Sequence, residues 1–569
     1  MKKKETQDRA QSEYENLLPN IADYIEHHAK RKKNAIAITE FNTGEKISWG
    51  KFNQSVNAFS AKLLSLGLKK GDIIATSLPM LKEHIYLIYA CYRIGLIVAP
   101  LDLRLKTEEI VYCFEKIKPK AYFFLGKTPL ADFRPMIREV MKKTTGIKYW
   151  VQFQKEPEFV IDGAIGIGDF AKDIKKIFIK SLFSGSVKKA RKLVDKRDPC
   201  LIIFTTGSTG SPKPGLMCHE NISIQTIGIA IGFGVEINEN DKMLVNLPPS
   251  HVGGLTEQLA TTIFAGGESV ILHIFNAEMS LQAIEKEKIT FMGQIPALFN
   301  LEWQLPNYSQ YNLSSLRFIL YGGQEVPVEF LKKMKEMAPK IGTGLGLTET
   351  AGLCTYTDGD ADVEDIAKSI GYAMNITPLT VRKPMQNNGM AGEELPKGEI
   401  GEICFSGPQV FLGYYDDPEN TAKTISKDGV CYTGDLGFYD ELGIHFVGRG
   451  KFVIKTKGYQ VYPQDVINHI SNKLGPRASA IACIGAPHGI YMEAIIVFVE
   501  PVAGVTITPE EVMNMCDDIS SYSRPSHVVI LEPGTMPLNR VAKVDLMELK
   551  QKAAQIVEEL KKTGSWDKA

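Results

Sequence analysis

Residues 204–215 read Phe-Thr-Thr-Gly-Ser-Thr-Gly-Ser-Pro-Lys-Pro-Gly, and the apolar segment 201–204 runs directly into them. A strand that opens into such a loop presents backbone N–H groups, hydroxyl donors and the ammonium of Lys213 to a polyanion. The stretch therefore predicts a phosphate-binding loop at the end of a buried strand. Its candidate contacts are Thr205, Thr206, Gly207, Ser208, Thr209, Gly210 and Lys213.

The loop differs from a Walker A loop, in which the lysine stands in the first turn of a helix. Lys213 lies between Pro212 and Pro214. Two prolines disfavour a helix through that point and remove two N–H donors. We therefore expect a phosphate loop of another kind.

Length and composition limit the class of protein. A chain of 569 residues exceeds what one core normally supports, so at least two domains are expected. Lys plus Arg and Asp plus Glu both number 66, and this net charge of zero argues against a nucleic-acid partner. The nine cysteines form no C-x-x-C pair, which indicates reduced thiols in a cytoplasm.

The sequence predicts neither a targeting segment nor a transmembrane segment. The apolar stretch 85–101 is broken by Arg93 and Gly95, so it is interpreted as a buried helix followed by a strand. The strongly basic stretch 172–197 contains several large apolar residues. The favoured interpretation is a solvent-exposed segment on the protein surface. The alternative is weak peripheral contact with an anionic membrane.

Strand-like and helix-like segments alternate along the chain. They do so over 73–99, 243–272 and 318–337, which predicts mainly parallel sheets covered by helices. From 380 to 447 short glycine-rich strands follow, and a compact α+β segment closes the chain with a helix from about 545 to 562. The fold class is therefore α/β, with a large N-terminal domain of packed mixed or parallel sheets, a β-rich subdomain and a small α+β C-terminal domain.

The loop at 204–215 resembles the phosphate-binding signature of the adenylate-forming superfamily, which includes acyl-CoA synthetases, luciferases and peptide-synthetase adenylation domains. That signature is close to T-S-G-T-T-G-x-P-K-G, and Pro214 departs from it. Residues 344–349, Gly-Leu-Gly-Leu-Thr-Glu, are similar to the family's G-Y-G-x-T-E. The resemblance implies that Thr348 contacts a phosphate and that Glu349 holds Mg²⁺, an ion that prefers carboxylate oxygens. Leu345 stands where the family usually has an aromatic residue over the adenine.

Two further segments resemble the walls of the family's substrate site. Residues 321–327 are similar to the turn that borders the adenine, and residues 248–254 to the segment that lines the carboxylate pocket. Nucleotide contacts are implied for Gly322, Gly323, Gln324, Gly344, Leu345 and Gly346, and acyl-pocket contacts for His251, Val252, Gly253, Gly322 and Gly346. The expected pocket walls are 251–255, 294–299, 322–324, 344–347 and 352–354. Because these are apolar or small, they favour an uncharged tail that is aromatic, alicyclic or of medium chain length.

The C-terminal motifs imply a domain that rotates. Asp435 and Arg449, fourteen residues apart, resemble the pair that brackets the ribose, and Lys451 holds the family's hinge position. The implied domains are 1–448, a hinge at 449–451, and a mobile domain 452–569. Residues 454–461 resemble the segment in which Lys455 serves thioester formation and Lys457 and Gly458 bind CoA. Residues 537–545 resemble the segment that carries the adenylation lysine, here Lys543, with Ala542 in place of a glycine.

The resemblance implies an ATP-dependent, AMP-forming acyl-CoA synthetase, with ATP, Mg²⁺, CoA and a small carboxylic acid as partners. Its catalytic residues would be Lys543, Lys455, Thr348 and Glu349. An amino-acid-activating domain is disfavoured, because the His251 segment lacks an acidic residue placed to bind an α-ammonium. A fatty acyl-AMP ligase that hands the acyl group to a carrier protein, and a nucleotide-binding homologue impaired in catalysis, stay open. The acid, the physiological direction and the oligomeric state are also open.

Overall fold

The computed structural model describes residues 2–154, 156–205, 212–539 and 543–566. The predicted phosphate contacts 206–210 lie outside these residues, and so does Ala542.

Most of the strands before residue 344 belong to two large sheets. The strands of the seven-stranded sheet, in spatial order, are Lys340–Thr343, Phe318–Tyr321, Phe291–Gln294, Lys242–Val245, Glu268–Ile271, Ile36–Glu40 and Glu45–Ser48. Those of the eight-stranded sheet are Gly413–Tyr414, Lys213–Cys218, Pro199–Thr205, Ile97–Pro100, Ile73–Ser77, Ala121–Leu125, Tyr149–Phe153 and Ile165–Gly166. Most neighbouring pairs are parallel, which confirms the predicted α/β class.

Helices connect and cover these strands. The helices before residue 300 are Lys2–Glu15, Asp23–Arg31, Trp49–Ser65, Lys82–Ile94, Thr107–Ile117, Arg134–Lys143, Ile167–Ala171, Ile174–Ser184, Ser186–Arg191, His219–Ile231, the π-helix Gly253–Ala260, Thr261–Ala265, Ala277–Glu287 and Pro296–Trp303. The later ones are Val328–Met337, Val363–Lys368, Pro418–Thr424, Pro463–Leu474, Pro509–Met515 and Leu546–Lys562.

The stretch 85–101 forms the buried helix and strand predicted for it. The helix Lys82–Ile94 is buried along almost its whole length and ends at Gly95, whose φ of 75° is left-handed. The strand Ile97–Pro100 follows at once and pairs in parallel with Ile73–Ser77. In the part of the chain that the structure describes, no helix is both long and apolar enough to cross a bilayer.

Two smaller sheets complete the fold. The four-stranded antiparallel sheet contains Leu379–Arg382, Gly401–Phe405, Cys431–Asp440 and Gly443–Arg449. The five-stranded sheet contains Tyr459–Val461, Ile454–Thr456, Met492–Pro501, Ala478–His488 and, paired in parallel with Met492–Pro501, His527–Ile530. Two short ribbons pair Gly346–Leu347 with Gly352–Leu353 and Thr355–Tyr356 with Tyr372–Ala373. The five-stranded sheet and its helices form the predicted α+β segment, with cores of their own.

Candidate active site

The predicted phosphate loop joins two antiparallel strands. Thr205 ends the strand Pro199–Thr205 and lies opposite Lys213, the first residue of the next strand. Pro214 lies opposite Phe204 in this ladder, and its carbonyl accepts a hydrogen bond of 2.8 Å from the N–H of Tyr415. The lysine therefore begins a strand, not a helix, as its two flanking prolines predict.

Tyr414 connects this lysine with the predicted metal ligand. The Nζ of Lys213 lies 5.2 Å from the centroid of the Tyr414 ring, and the Tyr414 hydroxyl donates a 2.5 Å hydrogen bond to Oε1 of Glu349. Burial and the Glu349 carboxylate raise the pKa of Tyr414, so the phenol stays protonated and keeps donating. The arrangement holds one cation and one carboxylate close together beside the end of the phosphate loop.

Thr348 lies beside the strand that follows the phosphate loop. A Cβ built on Gly215 would lie 3.1 Å from Cγ2 of Thr348. The backbone that precedes Thr348 is tightly placed, because a Cβ on Gly344 would lie 1.9 Å from the carbonyl oxygen of Thr355. The side chain of Leu345, the departure from the aromatic residue of the motif, packs against the main hydrophobic core.

Asp435 and Arg449 are cross-strand partners. The strands Cys431–Asp440 and Gly443–Arg449 form a hairpin in which these two residues lie directly opposite each other. Arg449 Nε lies 2.8 Å from Oδ1 of the buried Asp435 carboxylate. Burial raises the pKa of Asp435, while the positive charges of Arg449 and Lys543 oppose that shift. The fourteen-residue spacing in the sequence is thus the length of one hairpin.

Lys543 lies against the glycine turn that follows the strand Phe318–Tyr321. A Cβ on Gly323 would lie 2.8 Å from Cε and 3.3 Å from Nζ of Lys543, and the φ of Gly323 is 98°. The left-handed backbone therefore favours glycine here, and the end of the lysine side chain occupies the space that a side chain would need. Asn539 anchors the lysine's backbone, since its Oδ1 accepts from the N–H of Lys543 at 3.1 Å and its own N–H donates to the Lys543 carbonyl at 2.7 Å.

The positive charge of Lys543 shifts the pKa values of several groups around this turn. Burial and the positive charge of Arg449 lower the pKa of Lys543, whereas Asp435 and Glu257 raise it. Burial, together with Lys543, lowers the pKa of His251 to about 4, so this imidazole is neutral at pH 7. Its Nδ1 accepts a hydrogen bond of 3.0 Å from the N–H of Gly253. The adenylation lysine, the ribose pair and the acyl-pocket histidine predicted from the sequence are thus neighbours.

The predicted thioester and CoA residues lie elsewhere. Lys455 and Gly458 are exposed, and Lys455 belongs to the five-stranded sheet, where its N–H donates to Glu493. Lys457 donates to the carbonyl of Ser521. Lys451 lies in the short turn Gly450–Phe452 between two sheets, and burial, Arg449, Lys550 and Lys213 lower its pKa to about 8.

Comparison with known proteins identifies the family. A model described as AMP-binding enzyme matches residues 25–415. The chain belongs to the AMP-binding enzyme family. It is 27% identical over 537 residues to an indoleacetate–CoA ligase of Aromatoleum aromaticum, covering 93% of this chain and 98% of that one. It is 24% identical over 533 residues to a medium-chain fatty-acid–CoA ligase of Escherichia coli, covering 90% and 87%.

Solved structures share the fold. A crystal structure of an anthranilate CoA ligase in complex with anthranoyl-AMP matches 95% of this chain and 99% of its own, with a TM-score of 0.80 at 18% identity. The match extends over both the large sheets and the C-terminal α+β segment of this AMP-binding enzyme.

The described residues offer one carboxylate for the divalent cation that the sequence predicts. Among the residues that the structure describes, no group of three or more His, Cys, Asp or Glu side chains forms a metal cluster. Mg²⁺ commonly takes one or two protein carboxylates and completes its shell with phosphate oxygens and water. Glu349, oriented by Tyr414, is one such carboxylate beside the end of the phosphate loop.

Four further residues lie beside the predicted site residues, and the sequence motifs assigned no role to them. They are Tyr414, Asn539, Glu257 and Gln225, the last two next to Gly352. Tyr414 and Gln225 carry no motif of their own, and only the folded chain brings them near the site. Glu257 follows the His251 segment by a few residues and brings a carboxyl beside Gly253 and Gly352, although the lack of a suitably placed acid there was the reason for disfavouring an amino-acid substrate.

Proposed function

We propose that this AMP-binding enzyme is an ATP-dependent acyl-CoA ligase that forms acyl-AMP and then acyl-CoA. The observation that carries the proposal is the position of Lys543, whose amine lies against Gly323 while its charge acts on Asp435 and His251. The CoA ligases to which the chain is similar over most of its length support the same reaction.

In the first step, a carboxylate oxygen attacks the α-phosphorus of ATP and pyrophosphate leaves, which gives a mixed anhydride with AMP. Two anions must meet, so positive charge has to be in place before the reaction. Lys213 and Lys543 are the lysines proposed to supply it. Glu349 would hold Mg²⁺, which neutralises phosphate charge, and Thr348 would bind a phosphate oxygen. Asp435 would accept hydrogen bonds from the ribose hydroxyls.

In the second step, the CoA thiolate attacks the acyl carbon and AMP leaves. Lys455, Lys457 and Gly458 are proposed to serve this step. They are exposed on the five-stranded sheet, so they would reach the acyl-adenylate only after the segment from 452 onward rotates about Lys451. We propose that the arrangement described above, in which Lys543 lies against Gly323, corresponds to the adenylation step.

We also propose a cytoplasmic protein that makes weak peripheral contact with membranes. All nine cysteines are buried and unpaired, which supports a reducing compartment. The basic helix Ile174–Ser184 exposes large apolar side chains, which supports the membrane contact.

The decisive experiment is exchange of labelled pyrophosphate into ATP in the presence of a panel of carboxylic acids. We expect exchange that requires both an acid and Mg²⁺, and a thioester product when CoA is added. Exchange without thioester formation, together with acyl transfer to a carrier protein, would contradict the CoA assignment. Absence of acid-dependent exchange over the whole panel would overturn the proposed function.

A further inference from the structure

A carboxyl group lies in the wall of the expected acyl pocket. Glu257 belongs to the π-helix Gly253–Ala260. A Cβ built on Gly352 would lie 2.8 Å from both Cγ and Oε1 of Glu257, and one built on Gly253 would lie 3.7 Å from its Oε2. Gly253 and Gly352 both belong to the expected pocket walls. The carboxyl therefore sits between two glycines whose missing side chains leave it uncovered.

An unpartnered amide lies next to this carboxyl. Gln225, in the helix His219–Ile231, is 0% exposed, and within the described part of the chain neither its Oε1 nor its Nε2 has a hydrogen-bond partner. Its Cγ lies 3.1 Å from the same Cβ position on Gly352. Burying an amide without partners costs about 1–3 kcal/mol, so its position favours a partner from a ligand, since the described residues supply none.

The neighbouring polar groups are already engaged. The Tyr356 hydroxyl, which packs on Gly228 one turn after Gln225, donates a 2.7 Å hydrogen bond to the Leu353 carbonyl. The N–H of Leu353 contributes a hydrogen bond to Glu257. Each carboxylate oxygen and the amide oxygen can accept further hydrogen bonds. The Glu257 carboxyl and the Gln225 side chain thus place polar groups next to each other at Gly352, with acceptor capacity left for a ligand.

The pKa of Glu257 agrees with a carboxyl that contacts a ligand. Burial raises the pKa of Glu257 to about 7, and the positive charge of Lys543 works against that shift. A carboxyl that exists in both forms near neutral pH, in a substrate site, is typical of a group that meets a ligand. An acid kept only for structure would ordinarily be paired by a cation or several donors, as Glu220 is by Lys196 and Arg197.

We propose that Glu257 and Gln225 select carboxylic acids whose tail carries a hydrogen-bond donor, a hydroxyl or an amino group. This inference rests on the proposed acyl-CoA ligase function and names the substrate class of that site. It adds a donor to the uncharged aromatic, alicyclic or medium-chain tail expected from the apolar wall residues, and an ammonium donor would make that tail charged. A substrate donor would fill the acceptors beside Gly352, whereas a purely apolar tail would leave the Gln225 amide without partners and would add no hydrogen bond to the Glu257 carboxyl.

The test uses matched pairs of acids that differ only in one tail substituent, hydroxyl or amino against hydrogen or methyl, at several positions. Acid-dependent pyrophosphate exchange gives kcat/KM for each member. In the unaltered protein we expect the best donor-bearing acid to exceed its partner by about 10-fold or more, the ratio that corresponds to roughly 1.4 kcal/mol.

Substitutions then show which residues cause the preference for donor-bearing acids. Glu257→Met and Gln225→Met should bring the ratio of the two kcat/KM values close to one, whatever the absolute rate with the unsubstituted acid. Glu257→Gln distinguishes the two kinds of substrate donor. It should keep the preference for acids that carry a hydroxyl group and lose the preference for acids that carry an ammonium group. Glu220→Gln is the control, since it removes a buried carboxylate from the same helix as Gln225 and should leave the ratio unchanged.

The outcomes separate the two proposals. Exchange with equal kcat/KM for both members of every pair, or an undiminished ratio in Glu257→Met, overturns this inference and leaves the ligase proposal standing. No exchange with any acid overturns both. Should the methionine variants fail to fold, the ratio in the unaltered protein decides.

Discussion

Lys543 is the residue on which the two half-reactions should differ most. Its amine lies against Gly323, near the proposed path between carboxylate and α-phosphate. Removing one preorganised transition-state donor typically costs about 10²–10³ in rate. We therefore expect Lys543→Ala to slow acyl-AMP formation by at least about that factor and largely to spare CoA transfer from preformed acyl-adenylate, with each half-reaction measured separately.

A matched control is Lys552→Ala, which removes a lysine paired with Glu548 on the exposed face of the C-terminal helix. It should leave both half-reactions unchanged. An equal loss of both half-reactions in Lys543→Ala would contradict the assignment of Lys543 to adenylation alone.

Tyr414 gives a second prediction for a single residue. Its hydroxyl fixes one oxygen of Glu349, and hydrogen bonds to charged groups contribute about 1.5–3 kcal/mol. Tyr414→Phe should raise the Mg²⁺ concentration that gives half-maximal pyrophosphate exchange by about tenfold or more. The ring over Lys213 remains, so affinity for ATP should change less. The same Mg²⁺ titration in the neighbouring Tyr415→Phe serves as the control, and an unchanged midpoint in Tyr414→Phe would show that Glu349 needs no such support.

At the scale of single residues, the sequence predicted the site residues that belong to motifs arranged in the family's order. Asp435 and Arg449 could be paired because a hairpin has a regular spacing, and the structure places them opposite each other. Tyr414 and Gln225 could not be predicted, because their roles depend on strands and helices far apart in the chain. Gln225 lies in a uniformly buried helix whose pattern indicates only core.

At the scale of elements, the alternation of strands and helices was predictable, because buried parallel strands are continuous apolar runs. The strand Ile73–Ser77 and the helix Lys82–Ile94 lie within a few residues of their predicted positions. The π-helical turn Gly253–Ala260 was not predictable, because its apolar spacing resembles that of an ordinary helix. This turn bears on function, since it carries Glu257.

The helix Ile174–Ser184 supports a prediction at this scale. Its inner side packs against the helix Trp49–Ser65, while Phe183 and Leu182 are 89% and 64% exposed among lysines. Apolar side chains surrounded by cations favour the surface of an anionic bilayer. We expect co-sedimentation with vesicles that contain phosphatidylserine, weakened by salt and by the double change Leu182→Ser, Phe183→Ser. Leu130→Ser, at a leucine elsewhere that is as exposed as Phe183, should have no effect, and equal binding to neutral vesicles would contradict the prediction.

At the scale of the whole molecule, the contact between the glycine turn and the C-terminal helix Pro463–Leu474 should depend on pH. Glu325 follows the turn, with Asn468 of that helix hydrogen-bonded to its carboxyl and Asp465 repelling it. Burial raises the pKa of Glu325 to about 7. Since the pKa is raised in the docked arrangement, docking is strongest below the carboxyl's ordinary pKa and weakens as the pH rises towards 7.

Glu325→Gln should remove this dependence, because a neutral amide keeps the size and the hydrogen-bonding capacity of the protonated acid. The distance between two fluorophores, one on each side of residues 449–451, would report docking. In the unaltered protein the docked fraction should fall between pH 5 and 8, and in Glu325→Gln it should stay high. Asp465→Asn should recover part of the docked fraction at pH 8, since it removes the nearby negative charge. A pH profile identical in all three proteins would mean that other groups control the proposed rotation of the C-terminal segment.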